Sequence, residues 1–169
     1  MISNVRKWIS LFIGIIFYYI IHEGSHVIVS LCLGVFEKIK FLGIGMQVII
    51  NDDLSDMGKF IFCISGCVST LIFGYLLVLL SRKIVSVNNK FIKSICYYST
   101  VIFLFLDPLY LSILYRFFGG GDMNGIILLG VNEIFVEIFF TLIFIVNLFI
   151  FIKKVYPLYK ESFSNGVKL

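Results

Sequence analysis

The chain has 169 residues, of which 60% are hydrophobic and 14% charged, against roughly 45–50% apolar and about 25% charged in an ordinary soluble domain. A globule of this length has too little interior to hide so much apolar surface, 19 Phe and nine Tyr among it, so the composition argues against a soluble monomer and for a bilayer as solvent. The net charge of +4 comes from short basic groups between apolar runs, a pattern of membrane topology and not of nucleic-acid binding.

Four apolar stretches are long enough for a helix to cross a bilayer, which takes about 20 residues. They run from Trp8 to Gly34, Met57 to Ser81, Phe91 to Phe118 and Val131 to Ile152. The first begins like a secretory signal, with Arg6 and Lys7 before an apolar run, but lacks a small-residue cleavage site and reads as a retained anchor. Lys38 to Asn51 is too short to cross as a helix. Its partly alternating Ile39, Phe41, Ile44, Val48 and Ile50 predict a strand or hairpin at the membrane boundary. Asp52, Asp53 and Asp56 then read as a solvated turn and a helix start, because their spacing is not that of a calcium loop. The expected fold is an all-α polytopic membrane protein over residues 1–169, one domain of about four transmembrane helices with a short strand or hairpin after the first.

Ten of the 14 basic residues fall on the amino terminus, the second connection and the tail. This bias puts both termini in the cytosol. Cys32, Cys63, Cys67 and Cys96 lie inside apolar segments and read as small packing residues, with no exposed loops for a disulfide framework to staple.

His22-Glu23-Gly24-Ser25-His26 carries the chemistry. Positions four apart stack on one helix face, so His22 and His26 can offer two imidazoles to one ion while Glu23 sits beside it as a general base. Both histidines of the chain are here, and chance produces two His four apart with this Glu in roughly one case in 3,000. The motif also falls near the middle of the first span, where ionisable side chains are costly and mark function. A zinc ion doing chemistry takes a third protein ligand and keeps a position open. With no other His, an acid must supply it. Asp122 in Gly119-Gly120-Gly121-Asp122-Met123-Asn124-Gly125 ranks first, because the glycines let backbone pass close to another helix. Asp107, before Pro108 in the third span, is the rival, and Glu133 or Glu137 follow. If Asp107 is not the ligand, it is placed to orient one. The plainer alternatives are a buried hydrogen-bond network without metal and a closed structural zinc site. Glu133 and Glu137 otherwise read as an interfacial acidic stripe, and Tyr18 and Tyr19 as packing or belt residues. Ser25 has no triad around it.

HEGSH in an early transmembrane helix, followed by GGGDMNG entering a later one, resembles the site-2 protease (M50) family of intramembrane zinc metalloproteases. The two motifs anchor a core from about Trp8 to Gly130. Between them only hydropathy and element order agree: Asp107-Pro108 is the nearest analogue, at a longer interval, of the Asn-Pro that family members commonly carry, the usual Leu-Asp-Gly string is absent, and Gly24 sits one place earlier than the glycine often found in the family's motif. The resemblance implies hydrolysis of peptide bonds within or near a transmembrane segment of a membrane protein or membrane-bound peptide. It also implies one zinc per chain on His22, His26 and Asp122, with Glu23 as the catalytic base. The chain leaves no room for a PDZ or CBS module. The family tends to run its motif helix toward the cytosol, opposite to the direction the basic residues favour, so orientation stays open. The expected setting is a multi-pass protein of the cell membrane, without nucleic acid and with self-association open. The competing readings are an inactive adaptor or chaperone that kept the fold, and a metal transporter, which would string ligands across several spans.

Overall fold

The computed structural model describes residues 2–42, 45–51, 54–118 and 121–164. Helix α1 (Ile2–Cys32) leads into an antiparallel hairpin of β1 (Phe36–Leu42) and β2 (Gly45–Ile50), then α2 (Asp56–Ser86) and α3 (Lys90–Leu109). A π-helical turn, Tyr110–Leu114, carries α3 into α4 (Tyr115–Phe118). The short α5 (Asp122–Ile127) precedes α6 (Glu133–Ile150), which passes through a second π turn, Phe151–Val155, into α7 (Tyr156–Ser164). Among the described residues, four helical segments are long and apolar enough to cross a membrane: Asn4–Cys32, Asp56–Ser86, Lys90–Phe118 and Glu133–Ser164. Only 22–33% of the most apolar stretch of each is buried inside the protein, so most of that surface is left for lipid to cover. The fold is polytopic and all-α apart from the hairpin.

Polar residues start the helices where the sequence changes from turn to apolar run. Ser55 accepts from the Gly58 amide at 3.2 Å, Asn89 from Phe91 at 2.8 Å and Asn132 from Ile134 at 2.9 Å, each satisfying a donor that has no partner within the helix. Asp56 opens α2 and is exposed, whereas Asp52 and Asp53 lie outside the described residues. Several boundaries differ from expectation, and α2 runs on from Ser81 to Ser86. The first helix starts at Ile2 and ends at Cys32, and the fourth span runs past Ile152 to Ser164. Lys153, Lys154 and Pro157 look like a stop in sequence, but Val155 and Tyr159 are buried against Val78 and Leu104, and that packing carries the helix onward.

The bundle closes through small residues. Gly66, Thr70, Gly74 and Val78 fall on one buried face of α2 at intervals of four, the spacing that lets helices approach closely in lipid. A side chain at Gly74 would meet Phe103 Cβ at 3.2 Å and Leu104 Cδ2 at 3.1 Å on α3. One at Gly14 of α1 would meet Ser99 N at 3.3 Å on the same helix. A second core joins Cys67, Leu111, Met123, Ile126, Val136 and Phe140, clamping α5 between α2 and α6.

The third span carries Pro108 inside its helix. Proline has no N–H to give the carbonyl four residues back, which is Leu104. Asn147 of α6, fully buried, donates to that carbonyl at 2.6 Å and in turn accepts from Tyr75 at 2.7 Å. A neighbouring helix thus repairs the break, as apolar surroundings require. The π turn follows at once, leaving Asp107 at the inner side of the bundle, 3% exposed.

The hairpin sits beside α1, with β2 the nearer strand. Its register pairs Ile39 with Val48 and Phe41 with Met46, and it is irregular between Phe36 and Lys38. The Asn51 amide returns to the Val35 carbonyl at 3.1 Å, closing the base of the hairpin.

Candidate metal centre

One turn of α1 separates His22 from His26, and both rings face inward, 9% and 3% exposed, with centroids 5.0 Å apart. Facing them is Asp122, the first residue of α5. Its Oδ2 lies 3.1 Å from His22 Nε2 and its Oδ1 lies 3.4 Å from His26 Nε2. One ligand atom from each of the three residues lies within 4.8 Å of the others.

The backbone that delivers Asp122 needs glycine twice. Gly121 has φ of 61° and ψ of −149°, a conformation that side chains resist, and a Cβ there would stand 3.0 Å from Tyr110 Oη. Gly125, one turn on, seats α5 against Cys63 of α2, and a Cβ there would collide with the Cys63 sulfur. Gly119 and Gly120 lie outside the described residues.

The far nitrogen of each imidazole is also engaged. His26 Nδ1 lies 2.8 Å from the Phe62 carbonyl, an acceptor, so this nitrogen carries the hydrogen and Nε2 keeps its lone pair toward the centre. His22 Nδ1 lies 3.3 Å from Asp107 Oδ1 and 3.3 Å from Tyr18 Oη. Asp107 accepts from Tyr18 at 2.5 Å and from Thr70 of α2. With those two hydroxyls and His22 Nδ1 around it, Asp107 stands behind His22 and not between the two rings. Tyr18, expected to pack or face lipid, is 8% exposed and belongs to this network.

Asp122 lies between the third and fourth spans. Burial favours its neutral form, but the two histidine rings set against it outweigh that and hold the carboxyl down at about 2. The other acids considered for the third ligand position are elsewhere. Glu137 is held by Arg116 through two contacts of 2.5 Å, a bidentate pair that occupies both carboxylate oxygens. Glu133 lies in the first turn of α6. Ser25 donates to the His22 carbonyl at 2.8 Å, an intrahelical bond.

Glu23 lines the same cavity of about 500 Å³ as the two histidines and Asp122. Val48 of the hairpin lines that cavity beside Glu23, so the hairpin borders the candidate base. Gln47 and Val48 form one wall and Tyr110, Leu111 and Leu114 of the π turn another.

Gly66 is the residue that sequence reasoning missed. A Cβ placed on it would stand 2.6 Å from His22 Nε2 and 2.6 Å from His26 Nε2, so α2 leaves a hollow beside the two ligand atoms. The small-residue stripe at 66, 70 and 74 is the signal that could have found it. These three residues, His22, His26 and Asp122, could hold a metal ion: two ligands about 2.0–2.1 Å from one tetrahedral ion stand about 3.3 Å apart, close to the two N···O separations here. Cys63 and Cys67, free thiols, are not part of the group; Cys67 belongs to the apolar core.

Comparisons with protein-family models, with curated proteins and with solved structures find no match to this chain.

Proposed function

We propose that this protein is a zinc-dependent intramembrane metalloendopeptidase, a relative of the site-2 protease (M50) family, acting on peptide bonds within or near transmembrane segments of membrane-bound substrates. The observation that carries this reading is the approach of His22 Nε2 and His26 Nε2 to the two oxygens of one carboxylate, Asp122, in a cavity that also holds Glu23. When bound, zinc supplies the Lewis acid that polarises the scissile carbonyl and acidifies water.

The protein's own groups do the remainder. His22, His26 and Asp122 hold the ion, and Asp107 and the Phe62 carbonyl keep each ring turned so that Nε2 faces it. Glu23, adjacent on α1, receives the proton of the attacking water and hands it to the departing amine. A helical substrate hides its carbonyls in internal hydrogen bonds and must be unwound before attack, so its freed backbone needs a new partner. The β2 edge at Gln47 and Val48 borders the cavity and offers that partner to an extended segment. The setting proposed is the cell membrane.

The test is cleavage of a transmembrane-segment reporter by the purified chain in liposomes. Cleavage that stops on zinc chelation and returns with zinc supports the reading. Capture of the reporter without cleavage by a zinc-loaded chain overturns it in favour of an adaptor.

A further inference from the structure

Far from the histidines, the two termini and the start of α3 meet around a second cavity of about 620 Å³. Along α1 it lies about 24 Å from the candidate metal centre, at 1.5 Å per residue between Arg6 and His22. Arg6, Lys7, Lys90 and Lys160 line it, and among the described residues no acidic side chain does. Aromatic faces help hold two of these cations: the Arg6 guanidinium lies 5.9 Å from the Phe163 ring centre and the Lys160 ammonium 5.8 Å from that of Tyr156.

Two of the residues that line it carry buried polar atoms without partners. Tyr159 is 1% exposed, yet its hydroxyl makes no hydrogen bond, and Arg6 Nε is likewise buried without one. Buried polar groups are paired as a rule, so a donor hydroxyl and a guanidinium N–H at one cavity point to an acceptor-rich anion. Phosphate oxygens are such acceptors.

A smaller cavity of about 200 Å³ adjoins it, sharing Lys7 and Tyr98 and continuing along α1 past Trp8 and Leu11. Trp8 is 72% exposed, as suits an aromatic residue at the membrane boundary. Free phosphate would have no use for an apolar extension. A lipid carries both parts, and a zwitterionic one would bring its own cation against four others.

We propose that this paired cavity binds an anionic phospholipid, its phosphate among Arg6, Lys160 and Tyr159 and an acyl chain along Trp8 and Leu11. The bound lipid ties α1, α3 and α7 together at the basic end of the bundle. The site is independent of the metal centre.

Native mass spectrometry of the full chain in neutral detergent tests this, with titration by phosphatidylglycerol, by phosphatidylcholine of the same acyl chains, and by inorganic phosphate. One phosphatidylglycerol per chain, bound in preference to phosphatidylcholine, is the expected result. Lys7→Gln with Lys160→Gln should weaken it roughly thirtyfold, at the usual attraction per basic side chain near a membrane surface. Lys153→Gln with Lys154→Gln removes the same charge from exposed positions outside the cavity and should leave binding unchanged. Tyr159→Phe deletes only the hydroxyl and should also weaken it, which decides the matter if the lysine pair fails to fold. Equal binding of the two lipids, or equal loss in both lysine pairs, would overturn the proposal. Displacement of the lipid by inorganic phosphate would reassign the site to free phosphate.

Discussion

Asn147 donates to the Leu104 carbonyl at 2.6 Å, supplying the donor that Pro108 lacks and letting the third span break beside Asp107 without leaving a bare acceptor in lipid. The bond joins α6 to α3, and Tyr75 fixes the Asn147 amide from α2 at 2.7 Å. Asn147→Ala should therefore lower stability by about 1–3 kcal/mol, the cost of an unsatisfied buried group. Thermal unfolding in detergent checks this, and an unchanged midpoint would show that Leu104 finds another donor.

Asp107 orients His22 from behind. In Asp107→Asn the amide can still accept from one neighbour, but the negative charge behind the imidazole is gone. Zinc affinity should fall about 10–100-fold while the stoichiometry at saturating metal stays at about one, as for other carboxylates that support a ligating histidine. Competition against a chromophoric chelator measures this. Complete loss of binding would make Asp107 a ligand.

Gly66→Ala separates space from helix propensity. Alanine favours an isolated helix by about 1 kcal/mol over glycine, but here its methyl would stand 2.6 Å from both Nε2 atoms. Helix content by circular dichroism should be retained and metal lost. A variant that binds zinc as well as wild type would mean that α2 does not border the ligand atoms.

Glu23→Gln keeps the size and the position beside Val48 and removes the base. Metal content should stay at the wild-type level and turnover of a membrane-embedded reporter should drop by about 10²–10⁴, the usual contribution of a general base. Undiminished cleavage would reject the assignment.

Acid should strip the metal. Zinc needs neutral imidazoles, so protons compete for His22 and His26 as the pH falls. Equilibrium dialysis across pH should show affinity declining toward the acid side; affinity that rises with acidity would contradict imidazole ligation.

Hydropathy makes the four spans legible, because lipid-facing helices must be apolar almost throughout. The alternation from Ile39 to Ile50 makes the hairpin legible in the same way. HEGSH announces its own geometry, since a helix of any surroundings brings His22 and His26 to one face. The partners that reach them across the bundle leave no such local trace. Phe62 acts through a backbone carbonyl, which no sequence displays, and Gly66 and Thr70 show only as a small-residue stripe that does not say what it packs against. Arg116 and Glu137 pair across 21 positions, and each alone resembles a boundary charge. The extension of the last helix to Ser164 depends on Tyr159 and Val155 finding a core, a tertiary fact that Pro157 disguises.

Metal quantification on the detergent-purified chain beside Asp122→Ala and Asp107→Ala decides whether His22, His26 and Asp122 hold an ion. One zinc per wild-type chain is expected, lost in Asp122→Ala and present in Asp107→Ala at saturating metal. A wild-type chain that takes up no zinc, or equal retention in both variants, would contradict it.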